Sequence, residues 1–334
     1  MKTVRVIQYG LGPIGCNTAR AALKKEGIKL VGAIDIAPDK VGKDLSEVLG
    51  IPEKLGVTVS SDAPEVFRKA KAHVALHTTC SFFKDVYDQL ELAAKSGVSV
   101  VSSTEELLLP ELRNPDLAKK LDRLAKKHGS TILGTGVNPG FVMDTLALVL
   151  SGACTEVRSV KIIRRVDAST RRMPLQRKVG AGMKPDEFRR LVKEGKLGHI
   201  GLLESMYLVA KGLGWNLTWH RENIEPVLAE EPQQTQFFTV AVGEVAGIKH
   251  TCSGFCDDRQ VIDLDLRMYV GAKDPLDCIE IEGVPPLTLT LPGGVAGDVA
   301  TVATLVNGIP RVLESEPGLK TMLDLPIPRA FRAV

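Results

Sequence analysis

The chain has 334 residues, of which 44% are hydrophobic and 25% are charged. These fractions match folded globular proteins, and the length exceeds one ordinary core, so two packed domains are expected and disordered, collagen-like or coiled-coil structure is excluded. The net charge is only +3, the basic residues are scattered, and aromatic residues make up 4%. Neither a phosphate-binding face nor a base-stacking platform is indicated, so no nucleic-acid partner is predicted.

Cysteine content and hydropathy predict a cytoplasmic chain. The six cysteines are spread along the sequence without a dense framework, which is typical of reduced thiols. Cys252 and Cys256 are the closest pair, with His250 nearby, but their spacing is too loose for a zinc site, and no metal is predicted. The N-terminus lacks the pattern of a signal peptide, and no window approaches the ~18 apolar residues of a membrane span.

Strand and helix patterns alternate through the first half of the chain. Compact apolar runs predict strands at Val4–Tyr9, Lys29–Ile34, Val74–His77, Val98–Val101 and Thr131–Leu133. Helical spacing predicts helices at Ile14–Lys25, Lys84–Lys95 and Asp116–Lys127. Apolar strands that alternate with amphipathic helices indicate a parallel sheet covered on both faces.

The pattern changes after Asn138-Pro139-Gly140. Longer alternating runs, such as Gln236–Val245 and Val261–Val270, suit an open sheet with one solvated face. Further helices are predicted at Lys184–Gly195, Leu202–Gly212 and Gly297–Asn307, and the last should pack against the first domain. We therefore expect an α/β fold, with a doubly wound parallel sheet in residues 1–140 and 296–334 and a second α+β domain with an open mixed sheet in residues 141–295.

A glycine motif lies between the first strand and the first helix. It consists of Gly10, Leu11, Gly12, Pro13, Ile14 and Gly15. Gly10 allows a tight turn, Gly12 lets the backbone approach a pyrophosphate, and Gly15 lets the helix pack closely on the strand. The amides at the start of the helix would then hold the phosphates. The six residues are predicted to bind a dinucleotide.

Asp35 lies at the end of the second strand, about 20 residues after the motif. A carboxylate there hydrogen-bonds the ribose 2′-hydroxyl of NAD and repels the 2′-phosphate of NADP. Lys40, in the following loop, would weaken this discrimination. The sequence favours NAD and leaves NADP open.

Polar side chains follow the predicted strand Val74–His77. Thr78 and Thr79 are expected to contact the ribose or the nicotinamide, because loops at the carboxyl ends of such strands line the cofactor crevice. A structural role is favoured over catalysis for His77, since a lone histidine at a strand end is more often part of the fold. No partner base is evident for Cys80 as a nucleophile.

Glu105 and Glu106 follow the next strand. A carboxylate at the mouth of a nicotinamide site can act as a general base, but an acidic residue at this place can equally cap the following helix. Local sequence leaves both roles open.

Two further stretches are candidates for ligand contacts near the presumed domain junction, where ligand sites are common. Asn138 can pair with the carboxamide of nicotinamide, and Phe141 can wall a substrate pocket, although the stretch can also be a plain hinge. The charged run from Arg164 to Arg172 is expected to be mostly solvated, with one arginine able to clamp a substrate carboxylate.

Taken in order, eight stretches resemble the 2,4-diaminopentanoate dehydrogenases, a family that includes native NAD(P)-dependent amine dehydrogenases and is distantly related to dihydrodipicolinate reductase. They are GLGPIG, SSTEELLLP, GTGVNPGFVMD, QRKVGAG, GLLES, DPLDCIEIEG, PGGVAGDVATVATLVN and PGLKTMLDLP. The resemblance covers nearly the whole chain. GTGVNPGF and GGVAGDVATVA are its most specific parts.

The resemblance implies a Rossmann domain completed by the C-terminal helix, and a substrate domain that also forms a homodimer. It assigns the catalytic acid–base role to Glu105, with Glu106 in reserve. Asn138 corresponds to the nicotinamide-side asparagine, and the substrate-binding residues are Phe141, Arg164 and Gln176. The implied reaction is reversible oxidative deamination with NAD or NADP, which yields a ketone and ammonia from an amine such as 2,4-diaminopentanoate.

Two alternatives remain. A dihydrodipicolinate reductase-like imine reductase would share the fold and cofactor, but the paired histidines typical of that enzyme are missing from the six histidines here. A non-enzymatic NAD(P) sensor is compatible with the fold, because function resides in the site.

Overall fold

The computed structural model describes residues 3–332, which form two compact units. The first unit contains the residues up to Phe141 and those from Ala296 onward, and the second extends from Val142 to Val295. Across the described chain, no helix combines the length and the apolar character needed to cross a membrane.

The first unit is built on a seven-stranded sheet whose neighbouring strands all run parallel. The strands are β1 Val4–Tyr9, β2 Ile28–Ile34, β3 Val59–Ser60, β4 Val74–His77, β5 Ser99–Ser102, β6 Thr131–Gly134 and β15 Gly318–Lys320. Their spatial order is β15-β6-β5-β4-β1-β2-β3. From β1 the chain adds β2 and β3 on one side of the sheet, and then crosses to add β4, β5 and β6 on the other side. This change of side between β1 and β4 is typical of doubly wound dinucleotide-binding folds.

Among residues 3–332, six α-helices and one 3-10 helix belong to this unit. They are α1 Pro13–Leu23, α2 Leu45–Leu49, α3 Ala63–Ala70, α4 Phe83–Lys95, the 3-10 helix Glu105–Leu108, α5 Pro115–His128 and α10 Gly297–Glu314. Proline at the first position and basic residues in the last turn favour a helix at α5.

The helices cover both faces of the sheet. Val100 of β5 lies in one apolar cluster with Phe83 of α4 and Leu121 of α5. The next residue, Val101, points to the opposite face, where it lies beneath Gly308 of α10. The helix α10 contacts α1, β5 and β6, so it packs on this sheet.

The last helix is longer than the sequence pattern predicts. The prediction ended it at Asn307, but α10 continues to Glu314 through Pro310. An internal proline costs a helix about 3 kcal/mol. Ile309 and Val312 on either side are both only 1% exposed, and their burial offsets that cost.

The second unit contains a six-stranded mixed sheet. Its strands are β7 Glu156–Asp167, β8 Trp219–Leu228, β11 Val245–Cys256, β12 Arg259–Tyr269, β13 Leu276–Val284 and β14 Leu287–Pro292. Their order is β14-β13-β7-β12-β11-β8, in which β7 and β12 are parallel and the other neighbours antiparallel. A short separate ribbon pairs β9 Gln233–Gln234 with β10 Thr239–Val240.

Four helices accompany this sheet, and they are α6 Thr145–Ser151, α7 Met173–Lys178, α8 Pro185–Lys193 and α9 Leu202–Gly212. Helix α9 packs on β11 and β12, and α8 packs on β8. In β12, Leu264 and Leu266 are buried, whereas Asp263, Asp265 and Arg267 between and beside them are partly exposed. One face of the sheet is thus apolar and the other charged.

One predicted strand of this unit is wrong. The run Gln236–Val245 does not form a single strand: β10 ends at Val240, and β11 begins at Val245. Between them the amide of Glu244 donates to the carbonyl of Ala241, and Gly243 has a φ of +80°. This turn ends the extended backbone, although the side chains on both sides alternate as they do in a strand.

Candidate functional site

The carboxyl ends of four central strands lie side by side at one edge of the first sheet. The register pairs Tyr9 with His77, His77 with Ser102, and Ser102 with Gly134. The glycine motif and the loops after β4, β5 and β6 therefore leave the sheet at the same edge. In open parallel sheets, this edge binds ligands where the strand order reverses.

Each glycine of the motif meets a different steric demand. Gly10 has a φ of +88°, and a Cβ there would lie 2.6 Å from the carbonyl oxygen of Thr78. A Cβ on Gly15 would overlap the carbonyl oxygen of Gly10, so α1 packs as tightly on the loop as the chain allows. A Cβ at Gly12 would have no atom of residues 3–332 within 4 Å apart from those of Gly12 and its two chain neighbours. A phosphate can reach the backbone only where such space is open.

Helix α1 begins at this open position. Gly12 is its N-cap and has no side chain to cap the helix, Pro13 occupies the first turn, and that turn carries no acidic residue. The first amides and the positive end of the helix dipole therefore face space that suits an anion.

Asp35 is held against the glycine motif. Its Oδ2 accepts a hydrogen bond from the amide of Leu11 at 2.6 Å, and its Oδ1 accepts from the amide of Ala37 at 2.8 Å. Lys40 Nζ lies 3.6 Å from Asp35 Oδ2 and donates to the carbonyl of Leu11 at 3.0 Å. Lys40 partly compensates the carboxylate charge, which weakens the repulsion of a second anion.

Gln8 supports the motif, and the sequence analysis missed it. Its Nε2 donates to the carbonyl of Gly10 at 2.9 Å and to Thr78 Oγ1 at 3.0 Å. Thr78 Oγ1 donates to the same carbonyl at 2.9 Å. The Thr78 hydroxyl, predicted to meet the cofactor, therefore braces the turn within the fold. A polar residue inside the apolar strand was the available signal.

His77 is buried in a closed hydrogen-bond network. Its Nδ1 lies 2.8 Å from Ser102 Oγ and its Nε2 lies 2.8 Å from Gln89 Oε1. Burial lowers the pKa of His77 to about 4, so the ring is neutral near pH 7. The exposed Thr79 donates its hydroxyl hydrogen to the same Gln89 oxygen at 2.9 Å. This geometry favours a structural role for His77.

Glu105 and Glu106 have different environments. Glu106 is buried, and its Oε2 accepts from the amide of Phe83 at the start of α4 at 2.8 Å. Its Oε1 lies 3.7 Å from Arg113 Nε. Glu106 thus satisfies the first amide of α4, a helix that precedes it in the chain, whereas the sequence alternative was a cap on the following helix. Glu105 is half-buried at the first position of the 3-10 helix and remains the candidate for acid–base chemistry.

Asn138 holds an unsatisfied amide. Its Oδ1 and Nδ2 are both closed off from solvent, and neither has a hydrogen-bond partner among the described residues. A buried polar group without a partner costs about 1–3 kcal/mol. The preceding amide, of Val137, is anchored to Thr301 Oγ1 of α10 at 3.3 Å, and Phe141 is half-buried at the end of the same loop.

These features together fit a nicotinamide dinucleotide. The open backbone at Gly12 and the uncapped start of α1 suit its pyrophosphate. A carboxamide offers one acceptor and two donors, which complement the donors and acceptor of the unpaired Asn138 amide.

Arg164 of the second unit lies in a closed ion pair. Its side chain is 3% exposed, and Nη1 donates to both carboxylate oxygens of Asp277, at 2.7 and 2.6 Å. Its Nη2 donates to the carbonyl of Val295 at 2.8 Å, and the amide of Val295 donates to Asp277 Oδ2 at 2.7 Å. The expected clamp on a substrate carboxylate is not supported, because Asp277 stands opposite Arg164 on β13 and takes that place.

Gln176 is also engaged within the second unit. It is fully buried in α7, and its Nε2 donates to the carbonyls of Ser169 and Arg171 at 3.1 and 2.8 Å. Its Oε1 accepts from Thr235 Oγ1 at 2.8 Å. This amide joins two chain segments, so the geometry does not favour the substrate contact expected from the sequence. No group of three or more metal-ligating side chains is found in residues 3–332.

The chain matches two family models. One, described as the C-terminal domain of 2,4-diaminopentanoate dehydrogenase, matches residues 141–334. The other, described as the N-terminus of dihydrodipicolinate reductase, matches residues 4–132.

Named relatives align along almost the whole chain. The 2,4-diaminopentanoate dehydrogenase of Acetoanaerobium sticklandii is 34% identical over 340 residues, which cover 99% of this chain and 96% of the relative. The amine dehydrogenase of Streptomyces virginiae is 24% identical, and the alignment covers 97% of this chain and 96% of that protein. The solved structure of the amine dehydrogenase from Mycobacterium smegmatis has a TM-score of 0.87 and 28% identity, over 98% of this chain and 97% of that chain.

A family model thus covers more than half of the chain, and a relative that is 34% identical aligns with nearly all of it. The chain therefore belongs to the 2,4-diaminopentanoate dehydrogenase family of oxidoreductases.

Proposed function

We propose that the protein is a nicotinamide-dependent amine dehydrogenase that catalyses the reversible oxidative deamination of 2,4-diaminopentanoate at C4. The observation that carries this proposal is the shared strand edge, from which the open glycine motif, the Glu105 helix and the Asn138 loop all emerge. The name of the A. sticklandii relative supports the choice of substrate. In the reverse direction, a ketone and ammonia would give the amine.

The first unit would bind the cofactor through its own backbone and two side chains. Gly12 and the start of α1 would hold the pyrophosphate, Asp35 the adenosine ribose and Asn138 the carboxamide. A nicotinamide ring held by these residues would supply the hydride transfer to and from the amine carbon. We propose NAD as the preferred form because of Asp35, with NADP tolerated because Lys40 compensates that carboxylate.

Glu105 would serve as the proton-transfer group. It takes a proton from the substrate ammonium, so that the nitrogen lone pair assists departure of hydride from C4. Water then adds to the iminium carbon, Glu105 transfers protons between oxygen and nitrogen, and the C–N bond breaks. Overall, the substrate ammonium, water and the oxidised cofactor are converted into the ketone, an ammonium ion, the reduced cofactor and one proton. Partial burial of Glu105 favours this task, since it limits competing hydration.

The test is Glu105→Gln, which keeps the side-chain shape and removes the base. We expect turnover of 2,4-diaminopentanoate to fall about 10²–10⁴-fold, while the dissociation constants of NADH and NADPH stay near those of the wild type. Reduced-cofactor formation with both NAD and NADP measures the first quantity, and fluorescence titration measures the second.

Glu106→Gln is the matched control. It perturbs the cap of α4 and is expected to lower thermal stability while the folded enzyme keeps its activity. Normal turnover in Glu105→Gln would remove Glu105 from the mechanism. Absence of turnover in the wild type with the diamine, simple amines and both cofactors would reject the proposed activity.

We further propose that the enzyme is a cytoplasmic homodimer. The sequence resemblance implies the dimer, and the six free thiols are in keeping with a reducing compartment. Sedimentation equilibrium tests the first statement, because a single species of one chain mass would contradict it.

A further inference from the structure

Glu105 lies in a short helix that has little stability of its own. The 3-10 helix contains only Glu105–Leu108, and the amide of Leu107 donates to the carbonyl of Thr104 at 3.0 Å. Hydrogen bonds in a 3-10 helix have poorer geometry than those in an α-helix. The position of the Glu105 carboxyl therefore depends on the contacts that hold the residues on either side of it.

Thr104, the residue before this helix, does not cap it. A threonine at an N-cap commonly accepts a hydrogen bond from an amide of the first turn, but the side chain of Thr104 makes no such bond. Its Oγ1 instead donates to the carbonyl of Cys80, in the loop after β4, at 2.8 Å. Thr104 is 1% exposed, so water does not readily take the place of this hydroxyl.

The backbone of Thr104 is held from the side of the sheet. Its amide donates to Ser102 Oγ at 3.1 Å, and the same oxygen lies 2.8 Å from Nδ1 of His77. Ser102 and His77 are both buried. The closed network around His77 thus extends to the residue that precedes Glu105.

The residue after Glu105 is anchored to the same loop. The amide of Glu106 donates to the carbonyl of Ser81 at 3.2 Å, and its carboxylate accepts from the amide of Phe83. Residues 80–83 therefore hold the chain on both sides of Glu105. Because the Glu106 carboxylate also serves the start of α4, Thr104 is the anchor whose change isolates the effect on Glu105.

We propose that Thr104 is a positioning residue for Glu105, and that its hydroxyl holds the 3-10 helix on the loop after β4. The inference rests on the proposed function, in which the Glu105 carboxyl transfers protons at the substrate nitrogen. A displacement of about 1 Å can cost a reaction about 10²-fold in rate. Thr104 acts through Glu105 rather than on a ligand, so its loss should lower kcat and leave binding intact.

Thr104→Val tests the proposal, because valine keeps the branched shape and removes the hydroxyl. The kcat for 2,4-diaminopentanoate should fall about 10- to 100-fold, while KM and the dissociation constant of NADH stay near those of the wild type. Thr104→Ser, which restores the donor, should recover most of the lost kcat. A loss that persists in Thr104→Ser, or that appears mainly in KM or in NADH affinity, would overturn the proposal.

A double-mutant cycle separates positioning from a general effect on the fold. In the Glu105→Gln background the base is absent, so adding Thr104→Val should leave the residual turnover unchanged. A further loss in the double variant as large as in Thr104→Val alone would show that Thr104 acts independently of Glu105, and the proposal would fail.

Thr321→Val is the matched control for the loss of a buried hydroxyl. Thr321 follows the edge strand β15, is buried, and donates to Asp324 Oδ2 at 2.8 Å. This variant should lower thermal stability and leave kcat as in the wild type. A fall in kcat like that of Thr104→Val would show that any such loss of stability lowers turnover, which contradicts a specific role for Thr104.

Hydrogen exchange measures the anchor without turnover. In Thr104→Val, the amides of Glu106 and Leu107 should exchange about 5- to 10-fold faster than in the wild type, since local opening no longer breaks the bond to Cys80. Unchanged exchange would overturn the proposal. If the wild type oxidises no amine, the proposed dehydrogenase activity fails, while faster exchange in Thr104→Val and normal exchange in Thr104→Ser still establish that this hydroxyl holds the 3-10 helix.

Discussion

Polar groups are concentrated at the strand edge of the first unit and around Arg164, Asp277 and Val295 of the second. The two places differ in how many of their buried polar atoms have hydrogen-bond partners. At the first, neither amide atom of Asn138 has a hydrogen-bond partner within residues 3–332, and Gly12 leaves its backbone open. At the second, Asp277 and Val295 take both terminal nitrogens of Arg164. Polar residue types alone do not distinguish a binding site from a structural hydrogen-bond network. The two are distinguished by whether their buried polar atoms already have hydrogen-bond partners.

The energetic reason is that buried polar groups are costly unless they are paired. The Arg164–Asp277 pair compensates its desolvation internally, so a ligand that took Arg164 would leave Asp277 uncompensated. The unpaired amide of Asn138 carries its cost until a ligand arrives, a pattern expected where binding has been selected over stability.

The largest expected effect comes from breaking the buried ion pair of Arg164 and Asp277. Arg164→Met leaves Asp277 buried without its cation and should lower the free energy of unfolding by about 3–5 kcal/mol, measured by urea denaturation. Arg164→Met combined with Asp277→Leu should recover most of that loss, since no charge is then left unpaired. An Arg164→Met variant as stable as the wild type, but with a raised KM for the diamine, would return Arg164 to the substrate and contradict the comparison.

His77 sharpens the comparison, because it lies at the open edge but belongs to a closed network. Its pKa is about 4 in the folded protein against the ordinary value of 6.5, so between these values the unfolded chain binds a proton that the folded chain does not. Stability therefore falls as pH falls through this window, by about 2 kcal/mol between pH 7 and pH 5 from this group.

Urea denaturation of the wild type and of His77→Asn at the two pH values measures this contribution. The pH-dependent loss should be about 2 kcal/mol smaller in the variant. His128→Asn, at an exposed histidine, is the matched control variant. An unchanged slope in His77→Asn would show that this ring does not titrate as its burial requires.

The smallest expected effect concerns the open site. Asn138→Leu removes an unpaired amide, so the protein without cofactor should become more stable by about 1 kcal/mol, while the affinity for NADH should fall. Thermal denaturation and fluorescence titration measure the two quantities. A variant that loses stability without losing affinity would show that the Asn138 amide is paired within the fold and would remove it from the cofactor site.

Local patterns predicted the strands Val4–Tyr9 and Val74–His77 and the helix Leu202–Gly212 with the same ends as the structure. They failed at the end of α10 and within the run Gln236–Val245. Helix α10 passes Pro310 because Ile309 and Val312 are buried. The run Gln236–Val245 alternates as a strand does, yet it contains a turn at Gly243.

The sequence by itself determined the doubly wound fold, the glycine motif and the membership of the family. Apolar periodicity and the steric demands of Gly10 and Gly15 act over a few residues, and therefore they are visible in the chain as written. The choice between Glu105 and Glu106 was not visible, because it depends on the amide of Phe83, which lies on a different helix.

Only the tertiary structure decided which polar groups are already bonded. Arg164 meets Asp277 at a separation of 113 residues, through the register of β7 with β13. His250 meets Glu222 through the neighbouring strands β11 and β8, while His250 Nδ1 has no hydrogen-bond partner in the part of the chain that the structure describes. Hydrogen-bond satisfaction is a property of groups that the fold brings together, so neither composition nor spacing along the chain contains it.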